Sequence, residues 1–158
     1  MKILVAFYSR TGVTRQAAQV LAECLSCDLE EIVDRRKRSG LLGWLRSGRD
    51  AWRKRLTEIE PATRDPGGYE LVVLGTPVWA FTMAPAVRTY LAAHAPKLAK
   101  VAFLCTMGGS GAEKTFAAMV EAAGKRPVAT LALKEKDVRA GRADEALRRF
   151  ADDLRRGL

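Results

Sequence analysis

Four near-continuous apolar runs constrain this chain more than any other feature. They are "KILVAFY" at 2–8, "YELVVLG" at 69–75, "KVAFLCT" at 100–106 and "PVATLAL" at 127–133. A strand with one wet face alternates apolar and polar residues, whereas a run without alternation marks a strand covered on both faces. "LEEIV" at 29–33 is a fifth, weaker strand candidate. Helical spacing fills the gaps. Ala17, Ala18, Leu21, Cys24 and Leu25 share one face of a helix over 14–25. "APAVRTYLAAHA" at 84–95 carries Pro85 in its first turn, and a helix over 112–124 is closed by Gly124. Ala146, Leu147, Phe150 and Leu154 line one side of a helix over 143–156. Five strands alternating with helices predict an α/β fold: a parallel sheet with helices on both faces. Several five-stranded orders satisfy this pattern. In each, ligands bind in the crevice beyond the carboxyl ends of the strands.

At 158 residues the chain is sized for one domain, expected over 1–158 with a basic helical insert at about 35–60. The longest nearly apolar stretch, residues 71–81, is too short to cross a bilayer, and its Gly75-Thr76-Pro77 reads as a turn. The N-terminus has no small-residue cleavage site, so a first strand is expected there in place of a signal peptide. Three cysteines, an odd number, argue against a disulfide framework and for a reducing, cytoplasmic setting.

Three loops follow strands and carry unusual local composition. The first is Ser9-Arg10-Thr11-Gly12-Val13-Thr14, where a strand hands over to a helix. Open backbone N–H groups at a helix N-terminus favour an anion, and Gly12 allows them to turn inward as a nest. Ser9, Thr11 and Thr14 add hydroxyls, and together these suit a phosphate. The alternative is a plain helix cap by Thr11 or Thr14. Neither GxxxxGK[ST] nor GxGxxG is present, which removes the main support for a nucleoside triphosphate or a dinucleotide. The second loop is Thr76-Pro77-Val78-Trp79-Ala80-Phe81-Thr82-Met83. Trp79 or Phe81 could stack on a flat ligand there, or pack onto the next helix. The third is Thr106-Met107-Gly108-Gly109-Ser110-Gly111, whose glycines let backbone approach a ligand closely. A phosphate, a flat ring and amides at its edge describe a phosphorylated planar cofactor.

"YSRTGVT" before an Ala-rich helix resembles the phosphate loop of the flavodoxin family. "GTPVWAFTMAPAVRTYL" and "CTMGGSG" resemble that family's two ring loops. The resemblance spans the chain except residues 35–60. It implies a flavodoxin-like three-layer α/β/α sandwich of short-chain type, with a five-stranded parallel sheet in the order 2-1-3-4-5 and a noncovalent FMN. On this resemblance Ser9, Arg10, Thr11, Gly12, Val13 and Thr14 surround the phosphate. Thr76, Pro77, Val78 and Trp79, with Ala80 and Phe81 in the same loop, flank the ring. Thr106, Met107, Gly108, Gly109 and Gly111 approach its pyrimidine edge. The implied activity is electron transfer through FMN, with a redox partner protein or a small-molecule acceptor. The competing readings are an NAD(P)H-dependent quinone or flavin reductase, and an interaction module that keeps only the fold.

Two features depart from the family. No acid lies in 76–83 or 106–111, where electron-carrying flavodoxins are usually acidic. Fewer negative charges make the reduced cofactor less costly and raise its potential. The second departure is residues 35–56, which hold nine Lys/Arg and one Asp. They carry +8 of the chain's net +9. From Gly40 to Ile59, Leu41, Leu45, Trp52, Leu56 and Ile59 are expected on one helical face, with Trp44 beside it. That face would pack on the sheet, or dock an acidic redox partner, a subunit or a membrane surface. Nucleic acid is disfavoured for want of a reader motif. Cys24 and Cys27 form CxxC at a helix C-terminus, where thiolates are not stabilised, so both are expected to pack. Cys105 is expected in the core and His94 on the surface. No catalytic side chain and no metal site is expected.

Overall fold

The computed structural model describes residues 1–36 and 40–157. Lys37, Arg38 and Ser39 of the basic insert, and Leu158 of the expected domain, lie outside the described residues. Twelve elements follow in order: β1 (Ile3–Phe7), α1 (Val13–Leu25), β2 (Asp28–Glu31), α2 (Gly40–Trp52), β3 (Leu71–Trp79), β4 (Thr82–Met83), α3 (Pro85–His94), β5 (Lys100–Met107), α4 (Ala112–Ala123), β6 (Thr130–Lys134), α5 (Glu135–Arg139) and α6 (Asp144–Arg156). The main sheet runs β2-β1-β3-β5-β6, all parallel, and β4 pairs antiparallel with the end of β3. With β4 counted as a hairpin extension of β3, this is the expected order 2-1-3-4-5.

Alternate residues of β1 face opposite layers, which is why its sequence shows no alternation. Ile3, Val5 and Phe7 pack with α1 and α6 through Leu21, Leu147 and Phe150. Leu4, Ala6 and Tyr8 pack with α3 and α4 through Tyr90, Leu91 and Met119. Each fully buried Leu or Phe contributes on the order of 1.5–3 kcal/mol. Two helices end as expected, α1 at left-handed Ser26 and α4 at Gly124 with φ 67°.

Three expectations on element bounds are corrected. Gly75-Thr76-Pro77 is strand and not turn, because β3 continues to Trp79 and pairs Thr76 with Cys105 and Pro77 with Thr106. β1 leaves the other flank of β3 after Phe7 pairs with Gly75, so Pro77 sits where one edge is open and its missing N–H costs nothing. β6 starts at Thr130 and not at Pro127, and it is a half-exposed edge strand. The second strand ends at Glu31, although Ile32 N–H still donates to Phe7 O of β1 at 2.6 Å before the chain turns away.

The insert is closed at its base. Asp34 bridges antiparallel to Ile59, Arg35 N–H donates to Glu58 O at 2.9 Å, and Glu60 N–H donates to Val33 O at 2.8 Å. Of the alternatives for the insert's apolar face, packing on the sheet is not the one observed. α2 buries Gly43, Ser47, Asp50 and Ala51, while Leu41, Leu45, Trp52 and Leu56 are exposed. Small residues let α2 lie close to the body, and Asp50 anchors it. That carboxylate is 1% exposed and meets Arg36 Nη1 at 3.0 Å, Arg49 Nη2 at 3.6 Å and Arg55 Nη1 at 3.7 Å. Ile59 joins the core beyond the helix.

His94 is half-buried against Tyr90, with ring centroids 4.6 Å apart. Burial first, then Lys97, lowers its pKa from 6.5, while Asp65 and Glu30 oppose the shift. An unfolded chain therefore takes up this proton at higher pH than the folded one. The stability from neutral His94 is full above pH 6.5 and is lost as pH falls through the depressed value. The melting temperature is expected to fall as the pH drops below 6.5, and His94→Gln should flatten that slope in a calorimetric pH series.

Candidate functional site

The carboxyl ends of β1, β3, β5 and β6 converge on one recess of about 80 Å³. Its wall includes Ser9, Arg10, Thr11, Val13, Thr14, Pro77, Trp79 and Thr106. The floor is fixed by buried hydroxyls. Thr14 and Thr106 are 2% and 1% exposed, and their Oγ1 atoms lie 2.8 Å apart in a hydrogen bond joining the first loop to the third. Thr76 Oγ1 donates to Pro77 O at 2.9 Å and accepts from Ala84 N–H at 3.0 Å, which holds α3 to the end of β3.

The first loop is shaped for an anion. Gly12 is the N-cap of α1 at φ 94°, and no side chain caps the helix. Capping by Thr11 or Thr14, the alternative reading of these hydroxyls, is therefore not what the structure shows. The first intrahelical bond runs from Gln16 N–H to Gly12 O at 3.0 Å, so the amides of Val13, Thr14 and Arg15 precede it as open-end donors. Ser9 Oγ accepts from Gly12 N–H at 3.0 Å and pins the turn. Thr11 is exposed. Arg15 Nε donates to Glu31 Oε2 at 3.3 Å, tying α1 to β2, and this hydrogen bond chiefly raises the Arg15 pKa.

The second loop is a two-residue hairpin. Val78 pairs with Met83 and Trp79 with Thr82, leaving Ala80 and Phe81 at φ 49° and 63°. Such a turn normally takes Asn-Gly, so two residues with β-carbons there store strain of about 1–3 kcal/mol each. Strain of this kind concentrates at ligand clamps and switch regions. Trp79 is half-buried and meets Tyr8 edge to face at 5.4 Å, and it lines the recess. Phe81 is 56% exposed, with Lys114 Nζ 5.5 Å from its ring centroid.

The third loop divides by role. A β-carbon on Gly108 or Gly109 would meet nothing within 4 Å, so the space above them is open. Gly111, at φ 103°, is packed against Val78 and Phe81 and holds the third loop to the second. Met107 ends β5, half-buried. The structure thus brings the first loop, Pro77, Trp79 and Thr106 to one recess. Val78, Ala80, Phe81, Met107, Gly108, Gly109 and Gly111 do not line it, and Thr76 is fully buried.

Three residues beside this site were not among the sequence candidates. Glu135 and Arg139 of α5 line the recess, and Tyr8 supports Trp79. α5 was not foreseen, yet the rule that ligands gather at carboxyl ends of strands applies equally to the loop after β6. A separate cavity of about 320 Å³ lies between α2 and the hairpin, lined by Trp44, Leu45, Gly48, Arg49, Val78, Trp79 and Ala80 among others. Trp79 borders both spaces.

Outside the site, burial pushes the Cys105 thiol up to about 12, and burial followed by Asp28 pushes Cys27 up to about 11. Cys24, Cys27 and Cys105 are free, and the CxxC pair, in the last turn of α1 and just beyond it, packs against the core as expected. Among the described residues no group of three or more His, Cys, Asp or Glu could hold a metal ion, and no helix is long and apolar enough to cross a membrane.

Residues 2–150 match the flavodoxin family. No curated protein matches the chain. Among solved structures, one from Bacteroides eggerthii assigned as a flavoprotein is 26% identical, with a TM-score of 0.73 over 89% of this chain and 94% of its own. A flavoprotein from Lactobacillus acidophilus, solved in complex with FMN, is 22% identical, with a TM-score of 0.74 over 88% of this chain and 97% of its own. The two-electron reduced flavodoxin of Megasphaera elsdenii is 16% identical, with a TM-score of 0.60 over 95% and 98%.

Proposed function

Because this chain belongs to the flavodoxin family, we propose that it binds one noncovalent FMN and passes electrons between redox partners. The observation that carries this reading is the recess where Ser9–Thr14, Thr106 and Trp79 meet at the sheet's carboxyl edge. Its donors suit a monophosphate. Thr11 offers an exposed hydroxyl, the first-turn amides of α1 point their positive ends outward, and Arg10 and Arg139 set two positive charges against the one carboxylate of Glu135. Trp79 offers an aromatic surface next to the phosphate end, and the open backbone at Gly108–Gly109 suits the ring's edge. Bound FMN supplies reversible uptake of one or two electrons. The protein's part is to position the cofactor and set its electrostatics. No acid lies in either ring loop, and Arg49 lines the cavity that Trp79 borders, so little negative charge from these loops opposes the reduced cofactor. The three free cysteines fit a cytoplasmic location.

The cavity between α2 and Trp79 supports a second reading, in which a small apolar acceptor reaches the cofactor directly and the protein is an NAD(P)H-dependent reductase. Anaerobic mixing of the FMN-loaded protein with NADPH separates the two. A carrier stays yellow with NADPH alone and bleaches when a reductase protein or dithionite is added. Prompt bleaching by NADPH alone overturns the carrier reading in favour of the enzyme.

A further inference from the structure

Helix α2 presents its apolar side to solvent. Leu41, Leu42, Trp44, Leu45 and Trp52 are 53–77% exposed, and Leu56 just beyond the helix is 58% exposed. At 3.6 residues per turn, Leu41, Leu45 and Trp52 fall within about 40° of one another. They point away from the buried face made by Gly43, Ser47, Asp50 and Ala51. The helix is not free to roll and cover them, because buried Asp50 is held by Arg36 and Arg55 from its two flanks. Around the apolar ridge stand Arg46, Arg49, Arg53, Lys54 and Arg55, all exposed. Between Gly40 and Leu56 the only acid is Asp50, which faces inward.

We propose that α2 is an interfacial helix that docks this protein onto an anionic phospholipid surface. An outward ridge of Leu and Trp flanked by cations is the composition that lies in a bilayer interface: the apolar side chains enter the acyl boundary, and the arginines reach up to the headgroups. A second copy docking through the same face would set Arg46, Arg53 and Lys54 against their own copies, beyond the Arg49 and Arg55 that already meet Asp50. An acidic protein would satisfy the charges but would need its own groove for six large apolar side chains. A bilayer satisfies both without one. Trp44, Leu45 and Arg49 also border the cavity beside Trp79. Docking therefore holds that cavity at the membrane surface, where a lipid-dissolved acceptor is concentrated. The docking itself does not depend on the redox reading.

The test is cosedimentation of the full chain with vesicles of phosphatidylcholine alone, and with about 30 mol % phosphatidylglycerol added. Each cation near an anionic surface strengthens partitioning about fivefold, so the wild type should prefer the anionic vesicles by well over tenfold and lose that preference as salt rises. L41Q/L45Q, which changes only exposed positions, should weaken binding more than tenfold while leaving far-ultraviolet dichroism unchanged. R46Q/R53Q should cut the anionic preference about 25-fold. Trp emission should shift blue on anionic vesicles. Failure of the folded wild type to sediment with anionic vesicles overturns the proposal. So does binding that L41Q/L45Q leaves intact. A wild-type dimer in light scattering that L41Q/L45Q converts to monomer also overturns it and assigns the ridge to self-association. Salt-sensitive binding to an acidic protein but not to vesicles overturns it in favour of a protein partner.

Discussion

Replacing Gly111 with alanine is expected to destabilise the fold by about 3 kcal/mol and to push apart the two loops that frame the ring site. Two costs coincide. The backbone sits at φ 103°, where an L side chain is strained. The new β-carbon would also stand 2.8 Å from Val78 Cγ1, 3.1 Å from Phe81 Cδ1 and 3.5 Å from Phe81 Cα. Val78 belongs to β3 and Phe81 to a two-residue turn already at positive φ, so neither yields cheaply. For a domain of this size the melting temperature should fall by about 6–12 °C in calorimetry. Gly108→Ala and Gly109→Ala are the controls, since a β-carbon there meets nothing within 4 Å. They should change stability by less than about 0.5 kcal/mol. Similar melting temperatures for all three variants would remove Gly111 from its role as the link between the loops.

The second large effect concerns the phosphate loop. T11A/T14A is expected to weaken FMN binding about a thousandfold, from two lost contributions of about 1.5–3 kcal/mol that do not add fully. The two residues act differently. Thr11 is exposed and offers its hydroxyl to a ligand directly. Thr14 is buried and bonded to Thr106 at 2.8 Å, so its loss shifts the loop and leaves Thr106 with one partner fewer. T14A alone should therefore lower both stability and affinity, whereas T11A alone should lower affinity and leave the melting temperature of the apoprotein unchanged. Fluorescence titration with FMN beside thermal melts of the apoproteins checks both. Equal affinity in the double variant and the wild type would place the phosphate elsewhere.

The sheet was legible because burial on both faces erases alternation from a strand's sequence, and "KILVAFY" shows this plainly. The strand order was not legible from that pattern; it came from the resemblance carried by "YSRTGVT" and the two ring loops. The hairpin at Ala80-Phe81 was hidden because it lacks Asn-Gly, the local chemistry that announces a turn with two positive φ values. Pro77 then looked like a breaker, although the open flank of β3 beyond Gly75 accommodates it. α2 misled for a different reason. Its periodicity correctly marked a helix with an apolar stripe, and periodicity alone does not say which side meets the body. Gly43, Ser47, Asp50 and Ala51 decided that, through close approach and a buried ion cluster. Glu135 and Arg139 entered the site through a five-residue helix too short to leave a periodic signal.

In the proposed function, the recess at the carboxyl edge of the sheet holds the phosphate of FMN and the neighbouring loops hold its ring. Titrating the apoprotein with FMN while following flavin fluorescence tests this most directly. The expected result is a yellow protein on purification, and on titration quenching that saturates at about one FMN per chain with a Kd below about 1 μM. A colourless protein that leaves the fluorescence of added FMN unquenched would contradict it.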